Sequence, residues 1–102
     1  MESEFIYHVT TLNEWEQAKK QGAYKPLGFD AEGFIHCSIE RQVAGVLERF
    51  YKNQTGLVKL KIEKAKVNRP VLFELAADLN ELFPHIYGAL NIDSVVEVIN
   101  II

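Results

Sequence analysis

The chain has 102 residues, 48% of them hydrophobic, which fits one domain over residues 1–102 with a core of its own. Eleven basic and fourteen acidic residues give a net charge of −3 with no basic stripe, so duplex DNA is not an expected partner. The single cysteine, Cys37, excludes an intrachain disulfide. The N-terminus Met1-Glu2-Ser3-Glu4 is acidic, and no apolar run approaches the ~20 residues of a membrane helix, so the expected setting is cytoplasmic, away from membranes.

Residues 5–9 read as a strand with Phe5, Tyr7 and Val9 on one face and Ile6 and His8 on the other. Thr10 or Thr11 caps a helix over 12–21, whose Leu12, Trp15 and Ala18 recur every three residues and which Gly22 ends. Residues 23–32, with Pro26, Gly28 and Asp30, read as a loop. A second strand follows over 33–37, with Phe34, His36 and Ser38 on one face and Ile35 and Cys37 on the other. Ser38 is placed to cap a helix over 39–51, which carries an apolar stripe of Ile39, Val43, Val46, Leu47 and Phe50. Asn53 to Gly56 turn the chain into a third strand marked by Leu57, Val58, Leu60 and Ile62, with Lys59 and Lys61 facing outward. Residues 71–75 form a fourth strand, a polar loop leads to an irregular Phe83–Gly88 segment, and Val95 to Ile101 form the last strand. Short links between the later strands favour antiparallel pairing. The expected class is α+β: a twisted, largely antiparallel, split sheet with two helices against it.

All three histidines have apolar or aromatic neighbours, as in Phe5-Ile6-Tyr7-His8-Val9-Thr10, Gly33-Phe34-Ile35-His36-Cys37-Ser38 and Phe83-Pro84-His85-Ile86-Tyr87-Gly88. A polar ring at the rim of a core needs a hydrogen-bond partner or a ligand. His8 with Thr10 can hold a diol. Ser38, at a helix start, can face an anion or serve only as a cap. His85 and Tyr87, bracketed by Pro84 and Gly88, can close a pocket mouth. Three imidazoles can also bind zinc, but no His-x-His, His-x-x-x-His or Cys-x-x-Cys spacing is present, so no metal ligands are assigned. Glu74 and Glu97 lie on strands; either can orient an imidazole, and solvent-facing alternation is the expected role. Cys37 reads as a small core residue rather than a nucleophile.

Ile6-Tyr7-His8-Val9-Thr10-Thr11, Glu14-Trp15, Gly33-Phe34-Ile35-His36-Cys37-Ser38, Gln42-Val43-Ala44-Gly45-Val46, Arg49-Phe50 and Leu82-Phe83-Pro84-His85-Ile86-Tyr87-Gly88 with Leu90 resemble a family of small, mostly bacterial proteins. It is the domain-of-unknown-function family numbered 952, grouped with the ADP-ribosyltransferase-like superfamily. The resemblance covers nearly the whole chain. It implies an ADP-ribosyltransferase-like domain that holds NAD or an ADP-ribosyl group in the cleft of a split sheet. His8 and His36 would then be the catalytic positions, and Thr10, Ser38, His85 and Tyr87 the ligand-binding ones. The third motif, where such transferases often carry a glutamate, supplies His85 and Tyr87 here, as in lineages such as the tRNA 2′-phosphotransferases. No cofactor is implied beyond NAD as substrate or ligand, and the expected partner is a nucleotide-like small molecule. A non-catalytic nucleotide or anion sensor and a metal-dependent hydrolase remain the alternative readings of the same histidines.

Overall fold

The computed structural model describes residues 4–101. The chain begins with β1 (Phe5–Thr11), whose β-branched and aromatic residues leave directly into α1 (Leu12–Gln21). The Thr11 side chain accepts from the Glu14 amide at 3.1 Å, and Gly22 closes the helix at φ 88°, a left-handed conformation that favours glycine. Trp15 and Ala18 are the buried positions of α1.

Residues 23–32 are more ordered than a loop. Ala23–Tyr24 form β2 and Phe29–Glu32 form a single-turn α2. Tyr24 pairs with Leu90, and both are fully buried, so a tertiary partner far along the chain makes this strand. Next come β3 (Ile35–His36), a 3₁₀ turn at Glu40–Gln42, α3 (Val43–Phe50) and β4 (Leu57–Glu63). After a second 3₁₀ turn (Lys64–Lys66) come β5 (Val71–Ala76), β6 (Glu81–Ile86) and β7 (Leu90–Asn91). A third turn at Ile92–Ser94 leads into β8 (Val95–Asn100). Among the described residues the single-turn α2 adds to the two expected helices, α1 and α3.

The sheet is split, and every named pairing is antiparallel. One sheet has the order β1-β4-β8, another β3-β6-β5, and β2 pairs with β7. The two three-stranded sheets meet at one bridge, where Tyr7 and Ser38 exchange both backbone hydrogen bonds at 2.7 and 2.8 Å. Pro84 explains the split. The Phe83–Gly88 segment is largely the strand β6 rather than an irregular loop, and Pro84 lies in its middle. The Pro84 carbonyl accepts from the Cys37 amide at 2.9 Å, but the ring has no N–H to return. The ladder between β3 and β6 therefore stops there, and the chain crosses to β1.

Ser38, expected as a helix cap, is held instead in that bridge. The helix start is closed by Gln42, whose Oε1 accepts from the Ile39 amide at 3.0 Å. Gln42 Nε2 also donates to the Leu82 carbonyl and to Glu81, each at 2.9 Å, tying the helix start to β6.

β1 is buried on both faces. Ile6 packs into the main core with Trp15, Tyr24, Ile35, Cys37, Leu60, Ile62 and Ile86, while Tyr7 and Val9 pack on the other face with Val43 and Leu57. Alternation puts His8 on the Ile6 side.

Candidate functional site

A cleft of about 670 Å³ opens between β3, β5 and β6 on one side and α3 on the other, with Tyr7 and Val9 of β1 between them. His36, Ser38, His85 and Arg49 all line it, together with the acidic Glu32 and Asp78. A smaller cavity of about 210 Å³ lies beside it, lined by Thr10, Glu14, Tyr24 and Tyr51.

The cleft histidines share one face because His36 and His85 are register partners across β3 and β6. Their ring centroids are 5.0 Å apart and nearly perpendicular. Phe34 stacks on His85 at 4.2 Å and meets His36 edge-on at 4.8 Å. Each ring also has a carboxylate. His85 Nδ1 lies 2.7 Å from Glu74 Oε1, and His36 Nε2 lies 2.9 Å from Glu32 Oε2. Tyr87 donates its hydroxyl to the same Glu74 oxygen at 2.5 Å. The Tyr87 hydroxyl, and then the His85 ring, hold the Glu74 carboxyl below its ordinary range, so it stays ionised. Each imidazole thus has one nitrogen on a carboxylate and a second, His85 Nε2 or His36 Nδ1, with no hydrogen-bond partner among the described residues. The Ser38 hydroxyl likewise has no hydrogen-bond partner among the described residues.

His8 borders the same cleft as His36 and His85 but differs from them in its partners. It borders both cavities, but both of its nitrogens are taken by protein. Nδ1 lies 2.6 Å from the His36 carbonyl and Nε2 lies 2.7 Å from the Tyr24 hydroxyl. A carbonyl only accepts, so Nδ1 carries the hydrogen and Nε2 accepts from Tyr24. Burial pushes the Tyr24 hydroxyl well above its ordinary pKa, which keeps that donor in place. Burial also lowers the His8 pKa to about 4, so the ring is neutral. Its hydrogen bond pins the backbone of the strand that carries His36.

Thr10 lies in the smaller cavity, 4% exposed, with its hydroxyl 3.4 Å from Glu14. Tyr87 reaches the cleft through Glu74 and does not line it. The six expected residues therefore separate into a cleft set of His36, Ser38 and His85, a supporting Tyr87, and the inner pair His8 and Thr10. All three histidines line the larger cleft, but both His8 nitrogens are taken by protein, and among the described residues no group of three or more His, Cys, Asp or Glu is arranged to hold a metal ion. Cys37 is 3% exposed, and burial pushes its thiol far up, in keeping with a core residue. Residue-by-residue reading missed Tyr24, Glu32 and the arginine of the cleft wall. Tyr24 lay in an expected loop, Glu32 sits on an unforeseen helical turn four residues before His36, and Arg49 reads as an ordinary helix-surface charge.

In the structure, the described residues hold no helix long and apolar enough to cross a membrane. No curated protein matches the chain. The crystal structure of protein CC0527 from Caulobacter crescentus is similar at 28% identity and TM-score 0.84, over 92% of this chain and 82% of that one. The solution structure of CC0527 is similar at 27% identity and TM-score 0.81, over 96% and 84%. The profile of a protein family of unknown function, DUF952, matches residues 9–98, from within β1 into β8 and across Glu32, His36, Ser38, Arg49 and His85, and the chain belongs to that family.

Proposed function

We propose that the cleft holds a nucleotide-like small molecule, with NAD or an ADP-ribosyl group as the ligand class that the sequence resemblance implies. The observation that carries this reading is the convergence, in a cleft of about 670 Å³, of two imidazoles, the Ser38 hydroxyl and the Arg49 guanidinium. That volume lies within the ordinary range for small-molecule sites, roughly 300–1,000 Å³. The rings of His36 and His85, backed by Phe34, offer polar and stacking contacts to a flat heterocycle or a sugar. Arg49 supplies the cation for a phosphate. His8 acts from behind as a positioning residue, holding the His36 backbone, and Thr10 supports the inner wall.

The test is an amide-resolved NMR titration with NAD, ADP-ribose and nicotinamide. The expected result is a saturable shift at Ser38, His36 and His85 for at least one of them. Arg49 is exposed near the end of α3, so Arg49→Ala should fold normally and weaken ADP-ribose binding roughly tenfold, the scale of one charged hydrogen bond. Unchanged cleft amides at millimolar concentrations of all three would remove the reading.

A further inference from the structure

We propose that His36 and His85 are an acid–base pair that hydrolyses a monoanionic phosphodiester bound in the cleft. This deepens the nucleotide reading and rests on it for the ligand, but its chemistry stands on the geometry of the two rings. Each imidazole is oriented by its own carboxylate, at 2.7 Å for His85 and Glu74 and at 2.9 Å for His36 and Glu32. A carboxylate on one ring nitrogen fixes the ring plane and leaves the other nitrogen for proton transfer. The two rings are register partners with centroids 5.0 Å apart, so one small reacting group can touch both.

Their surroundings divide the roles. The His85 side chain is 12% exposed and stacked on Phe34, and Tyr87 also donates to its carboxylate oxygen. Held between Phe34 and the Glu74 carboxylate, this ring is the more firmly positioned of the two, so His85 takes the base role that holds the attacking water. The His36 side chain is 57% exposed, where a leaving alcohol can depart to solvent, so His36 takes the acid role. The charge of the cleft selects the substrate. Arg49 shares the lining with Glu32 and Asp78, and a dianionic monoester meets more repulsion than a singly charged diester.

In the step itself, His85 Nε2 takes a proton from water as the water oxygen bonds to phosphorus. The bond from phosphorus to the leaving oxygen breaks, and that oxygen keeps the electron pair and takes the proton from His36 Nδ1. The products are a phosphomonoester and an alcohol. The two rings exchange protonation states and reset through solvent. His36 and His85 are the catalytic residues, and Glu32, Glu74 and Tyr87 are positioning residues.

The experiment uses two probes, a 2′,3′-cyclic adenosine monophosphate and bis(p-nitrophenyl) phosphate, on the full chain. Wild type should hydrolyse both, with a bell-shaped dependence of kcat/KM on pH for the cyclic nucleotide and a single rising limb, that of the base, for the nitrophenyl diester. His36→Ala should lose roughly 100-fold on the cyclic nucleotide. It should lose little on the nitrophenyl diester, whose phenolate leaves without a proton. His36 is on the surface, so this variant folds whatever its activity. His85→Asn should lose roughly 100-fold on both probes, with folding checked by circular dichroism. Glu74→Gln should lower kcat about tenfold at unchanged KM, a split that a merely structural role would not give. Binding of the cyclic nucleotide without hydrolysis of either probe by wild type overturns the acid–base pair and leaves the binding reading intact. Equal losses on both probes for His36→Ala overturn the acid role. Hydrolysis of the nitrophenyl diester without any nucleotide binding supports the pair and overturns the nucleotide reading.

Discussion

At the scale of single residues, His8 and His36 have opposite characters despite their similar sequence contexts. His8 is 7% exposed and hydrogen-bonded through both nitrogens, whereas the His36 side chain faces the cleft. His8→Ala leaves the buried Tyr24 hydroxyl and the His36 carbonyl without their partner, and unsatisfied buried groups cost about 1–3 kcal/mol each. His36→Ala loses an exposed ion pair with Glu32, worth at most about 1 kcal/mol. Histidines that serve only a ligand cleft would leave the melting temperature nearly unchanged on substitution, and structural ones would not; the geometry puts His36 in the first class and His8 in the second. His8 also couples stability to pH. Its pKa is lowered from 6.5 to about 4 on folding, so between those values the unfolded chain binds a proton that the folded chain refuses. Stability then rises with pH across this window. The contribution is complete above about pH 6.5 and lost progressively toward pH 4, amounting to about 3 kcal/mol. Urea unfolding of wild type and His8→Gln at about pH 7 and about pH 4.5 checks this: the variant should be less stable at the higher pH and much less sensitive to the change.

At the scale of elements, the start of α3 shows how a local signal and a tertiary contact compete. Ser38 has the position of an N-cap, for which loss of the hydroxyl costs about 1 kcal/mol. The bridge to Tyr7 takes Ser38 into the sheet, and Gln42 closes the helix start from inside. Gln42 is 5% exposed and makes three side-chain hydrogen bonds, to Ile39, Glu81 and Leu82. Gln42→Ala should therefore destabilise by about 2 kcal/mol or more, whereas Ser38→Ala should be within about 0.5 kcal/mol of wild type. Thermal unfolding of the two variants side by side decides between the caps. The same competition operates at β6. Pro84 interrupts the ladder toward β3 but not the pairing with β5, where Phe73 lies opposite it.

At the scale of the whole molecule, two three-stranded sheets share a core but are joined edge to edge at Tyr7 and Ser38. β4 is the centre strand of its sheet, and Val58, Leu60 and Ile62 on it are buried to 1% or less exposure. Amides of β4 should exchange with solvent most slowly, near the global unfolding limit. The Tyr7 and Ser38 amides sit at the join and beside the cleft, so they should exchange faster than β4 in the free protein. A cleft ligand should slow them selectively. Hydrogen exchange followed by NMR, with and without ADP-ribose, measures both.

Much of this architecture was legible in the residues. The aromatic and β-branched run Phe5–Val9, the threefold spacing of Leu12, Trp15 and Ala18, the Gly22 stop and the apolar stripe of α3 are local patterns that fix periodicity but not burial: Leu12 and Phe50 are exposed, and β1 is buried on both faces. These patterns gave the α+β class, antiparallel pairing and most element positions. They also marked the faces that carry His36 and Cys37. β2 escaped because two residues carry no periodicity, and its pairing with Leu90 and Asn91 is made entirely by distant chain. The Pro84 of β6 argues against a strand in the sequence, because a proline is tolerated there only where no N–H is required of it, a fact of register rather than of composition. The candidate site divided in the same way. Sequence marked every imidazole, but a strand buried on both faces has no outward side, so His8 could not be told from a cleft residue until Tyr24 and the His36 carbonyl were in place. The carboxylate partners Glu32 and Glu74 come from a helical turn and from a neighbouring strand, and only tertiary structure could set each beside its imidazole.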